Sequence, residues 1–128
     1  MKLIRQKNDI DCGIACAAMV SGYHYKIAAR ADLTPWQDRG LSLAQMINIV
    51  RRLTRQKWSF SVQNLKKPLI DANLKPGILV VLIRDPEMPY GHWIVINKNI
   101  VYDPDFERPD FVIDYDRSNW LVITEIYL

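Results

Sequence analysis

Cys12 is the residue of this chain best suited to act as a nucleophile. It follows an acidic loop and precedes Gly13, at the point where a helix is predicted to begin. Backbone N–H groups at a helix N-terminus favour a thiolate, which is a better nucleophile than a thiol. Gly13 has no side chain, so a substrate backbone can approach the sulfur. The competing interpretation is that Cys12 is a small buried apolar residue, as most free cysteines are.

The base that such a nucleophile needs must come from the two histidines, His24 and His92. His24 follows the predicted first helix and is interpreted as an ordinary loop residue. His92 opens an apolar strand, and Asp103 ends the next one. A two-residue turn at Asn97 and Lys98 would place His92 opposite Asp103, with their Cβ atoms about 5 Å apart on one face. The carboxylate would then fix the imidazole tautomer and hold the ring for a thiol, provided that the register does not slip by one residue.

Gln6, which precedes the predicted helix, is a candidate for a second role at the same site. Its side-chain amide could donate a hydrogen bond to an oxyanion, with the backbone N–H of Cys12 as the second donor. Taken alone, Gln6 is an ordinary surface polar residue.

The elements that must position these residues begin with helices, which are predicted at residues 11–21, 25–32 and 43–54. Alanines favour the first helix, Asp11 is its expected N-cap, and Gly22 is its natural stop. The second helix should end before Pro35. The third follows a capping box of Ser42 and Gln45 and carries apolar residues at helical spacing.

Strands are predicted in the second half of the chain, at residues 58–62, 78–83, 92–96, 100–102, 111–113 and 120–127, with one helical turn at 68–73. Ile94 and Ile96 point to one side of their strand, and Trp93 and Val95 point to the other, so both faces of this strand should be covered. Helices followed by strands with hairpin connections indicate an α+β fold with an antiparallel sheet. The length of 128 residues, with 49% apolar residues, predicts a single domain over residues 1–128.

Composition excludes several classes of protein. Two cysteines and two histidines cannot form a disulfide scaffold or a multi-zinc module. Cys12, Cys16, His24 and His92 do not have the spacing of a compact zinc site, so no metal or other cofactor is expected.

The net charge of +3 is too small to indicate nucleic-acid binding. A basic group at the end of the third predicted helix is interpreted as a solvated surface; it comprises Arg51, Arg52, Arg55 and Lys57. The charged N-terminus contains no signal peptide, and the longest apolar run, residues 78–83, is too short to span a membrane. These features predict a soluble, cytoplasmic protein with no nucleic-acid partner and no stable membrane insertion.

The candidate residues lie in three segments with a recognisable order and spacing. The first contains Gln6 and then Asp11-Cys12-Gly13-Ile14-Ala15-Cys16, the second is Gly91-His92-Trp93-Ile94-Val95-Ile96, and the third is Val101-Tyr102-Asp103-Pro104. Together they resemble the bacteriocin-processing cysteine peptidases, the double-glycine leader peptidases of papain-like fold. The resemblance covers nearly the whole chain, and it implies N-terminal helices packed on a C-terminal antiparallel sheet.

The resemblance implies a role for each candidate catalytic residue. Cys12 would be the nucleophile and His92 the general base and then the acid. Asp103 would orient His92, and Gln6 would help to form the oxyanion hole. Cys16, one helical turn after Cys12, would be a packing residue.

The resemblance also implies a peptide or protein substrate, which members of the family cut after a Gly-Gly pair. Gly13, Gly91 and Trp93, which flank the nucleophile and the base, are expected to contact that substrate. In the family this domain usually precedes the membrane-spanning region and the ATPase domain of an exporter, so an ABC exporter is an implied partner. The chain contains neither region, and both an excised domain and a free-standing relative are consistent with it.

Two other functions remain open at this point. A papain-like hydrolase or deamidase, acting as a phage or toxin protein on another substrate, would need the same catalytic residues and would be delivered outside the cytoplasm. A peptide-binding module without activity would need none of them, and the presence of all of them argues against it.

Overall fold

Three helices and then six strands follow one another along residues 1–31 and 40–128, which are the residues that the computed structural model describes. The helices are α1 (Cys12–Ser21), α2 (Tyr25–Arg30) and α3 (Leu43–Thr54). The strands are β1 (Ser59–Val62), β2 (Leu79–Arg84), β3 (Gly91–Asn97), β4 (Ile100–Tyr102), β5 (Asp110–Phe111) and β6 (Leu121–Tyr127). They form one antiparallel sheet in the order β1-β6-β2-β3-β4-β5, which confirms the predicted α+β class. Within the described residues, no helix is both long and apolar enough to cross a membrane.

Local sequence signals set the ends of the helices. Ser42 accepts a hydrogen bond from the N–H of Gln45, and the Gln45 side chain accepts one from the N–H of Ser42, so the predicted capping box begins α3. Gly22 ends α1 in the left-handed conformation, with φ of 76°, as expected. Helix α2 begins where predicted and ends at Arg30. Ala31 is its C-cap. Asp32, the last residue of the predicted second helix, and Pro35 lie outside the described residues.

Strand β3 is covered on both faces, as its apolar pattern predicts. Trp93 and Val95 belong to a core cluster with residues of α1 and α3. Ile94 and Ile96 belong to a second cluster, on the other face of the sheet, that includes Tyr115. One face of the sheet is therefore covered by the helices. The other face is covered by non-strand segments, among them the one that carries Tyr115.

Two strand predictions differ from the structure at the edges of the sheet. Phe60 and Val62 in β1 are exposed, because β1 is an edge strand that pairs only with β6, whereas Trp58 just before it is buried. The strand predicted at residues 111–113 pairs only at Asp110–Phe111. The chain then enters a 3-10 turn that Tyr115 closes by donating its backbone N–H to a carbonyl three residues earlier.

The hairpin between β3 and β4 has a different register from the predicted one. The turn residues are Lys98 and Asn99, with φ of 54° and 64°, and Asn97 pairs with Ile100 in the ladder. A two-residue hairpin turn of this type needs positive φ at both positions, and Asn tolerates it. The turn is one residue later than predicted. Each residue of β3 therefore lies opposite a β4 residue two positions further along the chain than predicted. A shift of two preserves the face on which each side chain lies.

Candidate active site

Helix α1 presents Cys12 to the beginning of strand β3. Cys12 is the first residue of α1 and is 6% exposed. Its Sγ accepts a hydrogen bond from the backbone N–H of Trp93 at 3.5 Å. This contact joins residues that are far apart in the chain and brings the sulfur beside the residue that precedes Trp93, which is His92.

His92 and Asp103 meet on one face of the β3–β4 hairpin as diagonal neighbours. The Nε2 of His92 donates to Oδ1 of Asp103 at 2.5 Å. Both residues are largely buried, with exposed fractions of 9% and 1%. Because Nε2 is engaged, Nδ1 is the ring nitrogen that can take a proton from Cys12. The structure therefore brings Cys12, His92 and Asp103 together.

The electrostatics of this cluster favour a charged imidazole. Burial lowers the pKa of His92, but hydrogen bonds and charges of Asp103 and Cys12 outweigh it and raise the pKa to about 9. Burial also raises the pKa of Asp103, yet its hydrogen bond with His92 and the charge of that ring bring it below the usual range. At neutral pH the pair is thus an imidazolium and a carboxylate. Burial raises the pKa of Cys16 far above its ordinary value, so its thiol stays protonated.

Asp103 has further hydrogen-bond donors that sequence analysis missed. Its Oδ1 accepts the backbone N–H of Asp105 at 2.9 Å, and its Oδ2 accepts the hydroxyl of Tyr115 and Nη1 of Arg117 at 3.1 Å. Tyr115 and Arg117 follow β5 and reach Asp103 only through the fold of that segment. Their spacing from Asp103 matches no local pattern, so the sequence contains no signal for the contact.

Gln6 lies at the same cleft as His92, but its amide has a local partner. Its backbone N–H donates to the carbonyl of Pro104 at 2.9 Å, which ties the N-terminal segment to the residue after Asp103. Its Nε2 donates to the carbonyl of Asn8 at 2.9 Å. Among the described residues its Oε1 has no hydrogen-bond partner although it is buried. The amide retains a second N–H that is available to a ligand.

Asp11 does not cap helix α1 in the expected way. Its buried carboxylate accepts the backbone N–H groups of Lys7 at 2.8 Å and Asn8 at 3.0 Å, together with the hydroxyl of Tyr25. Within the part of the chain that the structure describes, it makes no side-chain hydrogen bond to the first turn of α1. The N-cap prediction is therefore wrong for the side chain, because the preceding loop and Tyr25 engage it. The N–H groups of Gly13 and Ile14, which an N-cap side chain would engage, are left without this cap.

The residues predicted to contact substrate have different surroundings. Gly91 is exposed and borders a cleft of about 220 Å³. The other residues that line this cleft are Gln6, Asp9, Tyr90, His92, Asp105, Arg117 and Trp120.

Gly13 and Trp93 do not fit the predicted contact. Gly13 is buried, and a Cβ there would lie 2.8 Å from Cδ1 of Leu41, so Leu41 packs against this glycine. Trp93 is 2% exposed, and its indole N–H donates to the carbonyl of Leu41 at 2.9 Å. Both residues contact Leu41, and the buried side chain of Trp93 does not line the cleft.

His24 is engaged away from this cluster. Its Nδ1 accepts the backbone N–H of Lys26 at 3.2 Å and so caps helix α2. Within residues 1–31 and 40–128, no three side chains of His, Cys, Asp or Glu come together as metal ligands would.

A cysteine at a helix N-terminus, facing a histidine on an antiparallel sheet, is the arrangement of a papain-like cysteine peptidase. The model of the peptidase C39 family matches residues 1–106, and the chain belongs to this family. The protein is thus a cysteine peptidase, a hydrolase, and the predicted family is confirmed. No curated protein sequence matches the chain.

Replacement of Asp103 by Asn should lower the pKa of His92. The neutral amide removes the charge that favours the imidazolium, so we expect titration to move from about 9 towards or below the ordinary value of 6.5. An NMR titration of the His92 imidazole in wild type and in Asp103→Asn measures this. An unchanged His92 titration would contradict the assigned ion pair.

The raised pKa of His92 also links stability to pH. Protonation of a group whose pKa is higher in the folded state stabilises that state. The contribution of His92 to the free energy of unfolding is therefore complete below pH 6.5 and is lost as the pH rises through about 9.

Proposed function

We propose that the protein hydrolyses a peptide bond after a Gly-Gly pair in a leader or target peptide, with Cys12, His92 and Asp103 as a catalytic triad. The observation that carries the proposal is the meeting of the three side chains at the junction of α1 and β3. The sulfur lies against the N–H of Trp93, and His92 is bonded to Asp103. Membership of the peptidase C39 family supports the same reaction.

The reaction proceeds through two acyl transfers. The sulfur of Cys12 attacks the carbonyl carbon of the scissile bond, and the carbonyl electrons move to its oxygen. As the tetrahedral intermediate collapses, His92 gives its proton to the leaving amine, and a thioester remains on Cys12. Water then loses a proton to His92 as it attacks the thioester, and the acid product leaves as the thiolate is restored. Asp103 keeps the ring oriented throughout.

Backbone and side-chain N–H groups are available for the oxyanion. The N–H of Cys12 is at the open end of α1, where the side chain of Asp11 does not engage it. Gln6 borders the cleft and can present its amide, either with its second N–H or by leaving the carbonyl of Asn8. Two donors aimed at the developing charge are the arrangement that acyl transfer requires.

The narrow approach to the sulfur supports a preference for glycine. Cys12 is 6% exposed and His92 is 9% exposed, so little of either side chain is open to a bulky substrate. Leu41 packs over Gly13 beside the nucleophile. A substrate without side chains next to the scissile bond meets the least obstruction, which agrees with the cleavage site implied by the family.

The first test is the reactivity of the two thiols. Iodoacetamide at neutral pH should modify Cys12 much faster than Cys16, because the Cys16 thiol is fully buried and protonated.

Cleavage of a Gly-Gly leader peptide, followed by mass spectrometry, should be abolished in Cys12→Ala and retained in Cys16→Ala. Cleavage by Cys12→Ala would contradict the mechanism.

The second test addresses the Gly-Gly preference. Peptides that differ only in Gly-Gly, Gly-Ala, Ala-Gly and Ala-Ala before the scissile bond should differ in kcat/KM, with each added methyl costing about 10- to 200-fold. Equal rates for the four peptides would contradict the Gly-Gly preference but would still show peptidase activity. Ammonia released from glutamine peptides, without chain cleavage, would instead indicate a deamidase.

The third test concerns Gln6. We expect Gln6→Ala to lower kcat by about 100- to 1000-fold with little change in KM, because an oxyanion donor acts mainly in the transition state. Gln56→Ala, at an exposed glutamine after α3, is the matched control. If the two variants had equal kcat, Gln6 would have no part in the oxyanion hole.

A further inference from the structure

Both oxygens of the Asp103 carboxylate accept hydrogen bonds, one from His92 and the other from different residues. While Oδ1 faces the imidazole, Oδ2 accepts the hydroxyl of Tyr115 and Nη1 of Arg117 at 3.1 Å. Each oxygen therefore has its own set of donors. A carboxylate with both oxygens engaged cannot rotate without breaking hydrogen bonds in a buried place.

Arg117 is itself fixed in position. Its guanidinium lies over the ring of Phe106 at 4.8 Å and over the ring of Trp120 at 4.7 Å from the centroids. Its Nη2 donates to Oδ2 of Asp105 at 2.6 Å, so the two terminal nitrogens engage two different carboxylates. A planar guanidinium that is stacked and doubly bonded loses little further freedom when it binds Asp103.

The same segment contacts the imidazole. Trp120 meets His92 edge to face, with centroids 6.4 Å apart and an interplanar angle of 78°. Tyr115 packs against Phe106 at 5.5 Å. Burial and the charge of Asp103 raise the pKa of Tyr115, so its phenol keeps the proton that it donates. Residues after β5 thus contact both His92 and Asp103.

We propose that Tyr115 and Arg117 are positioning residues, which hold Oδ2 of Asp103 so that Oδ1 stays directed at His92. The inference rests on the proposed roles of His92 and Asp103. Both positioning residues lie beyond residues 1–106, the part of the chain that the family model matches.

The positive charge of Arg117 matters because the charge on His92 changes during the catalytic cycle. His92 alternates between imidazolium and neutral imidazole, and in the neutral state it no longer compensates the buried charge of Asp103. A buried carboxylate without a counter-ion is costly and tends to take up a proton or turn towards solvent. Arg117 remains charged throughout and keeps Asp103 ionised and in place. Among the described residues, the charged groups that share the cleft with His92 and Arg117 include Asp105, which Arg117 engages, and Asp9.

Substitutions of both residues test this inference. We expect Arg117→Gln and Tyr115→Phe to lower kcat by about 10- to 100-fold while KM changes little, a loss of the size seen when the hydrogen-bond partner of a metal-ligating side chain is removed. Arg117→Lys keeps the charge without the fork of donors and should recover part of the loss. Arg108→Gln, at an exposed arginine just before β5, is the matched control.

A proton NMR signal separates positioning from a general loss of stability. In wild type and in Arg108→Gln, the Nε2–H of His92 should give a low-field, slowly exchanging signal because it is bonded to Asp103. This signal should broaden or move upfield in Arg117→Gln and Tyr115→Phe at temperatures where both variants remain folded. An unchanged signal in these folded variants would overturn the inference.

The NMR measurement does not depend on peptidase activity. If wild type shows the signal but cleaves no peptide, the proposed function fails, while the variants still report whether Tyr115 and Arg117 hold Asp103. If Arg117→Gln does not fold, Tyr115→Phe and Arg117→Lys supply the same comparison. Wild-type kcat together with an unchanged signal in those two variants would count against the inference.

Discussion

A buried, multiply bonded carboxylate is the interaction around which the described site is arranged. Burying Asp103 alone would be strongly unfavourable, so its oxygens need partners from other parts of the chain. Strand β3 supplies His92, and the segment after β5 supplies Tyr115 and Arg117. The N-terminal loop joins the same place through Gln6, which bonds to the carbonyl that follows Asp103. The hydrogen-bond partners of the Asp103 carboxylate therefore come from segments that are far apart in the chain.

The second constraint is the position of the helix that carries the sulfur. The face of β3 that carries Trp93 and Val95 packs against α1, and the backbone N–H of Trp93 reaches the sulfur of Cys12. Asp11, which precedes Cys12, accepts the backbone N–H groups of Lys7 and Asn8 and so stabilises the loop before α1. The first turn of α1 is consequently free of a side-chain cap from Asp11, and this is the end at which the proposed oxyanion would form. Packing of the helix and chemistry of its N-terminus thus depend on the same contact with the sheet.

Local patterns predicted the helices and most strands because they arise from backbone periodicity and turn sterics. The capping box of Ser42 and Gln45 and the stop at Gly22 are confirmed. The β3–β4 turn was predicted one residue too early, since both Asn97 and Asn99 tolerate positive φ and the sequence does not choose between them. The contact between His92 and Asp103 survived this error, because the resulting shift of two residues keeps both side chains on one face.

The sequence by itself determined the class of protein, because the order and types of residue over residues 1–106 match the peptidase C39 family. Only the tertiary structure showed that Trp93 is a buried support and that Tyr115 and Arg117 bond to Asp103. The physical reason is the range of the interactions. Periodicity, caps and turns depend on neighbours in the chain, whereas burial and hydrogen bonds to a shared carboxylate depend on segments that meet only after the sheet has formed.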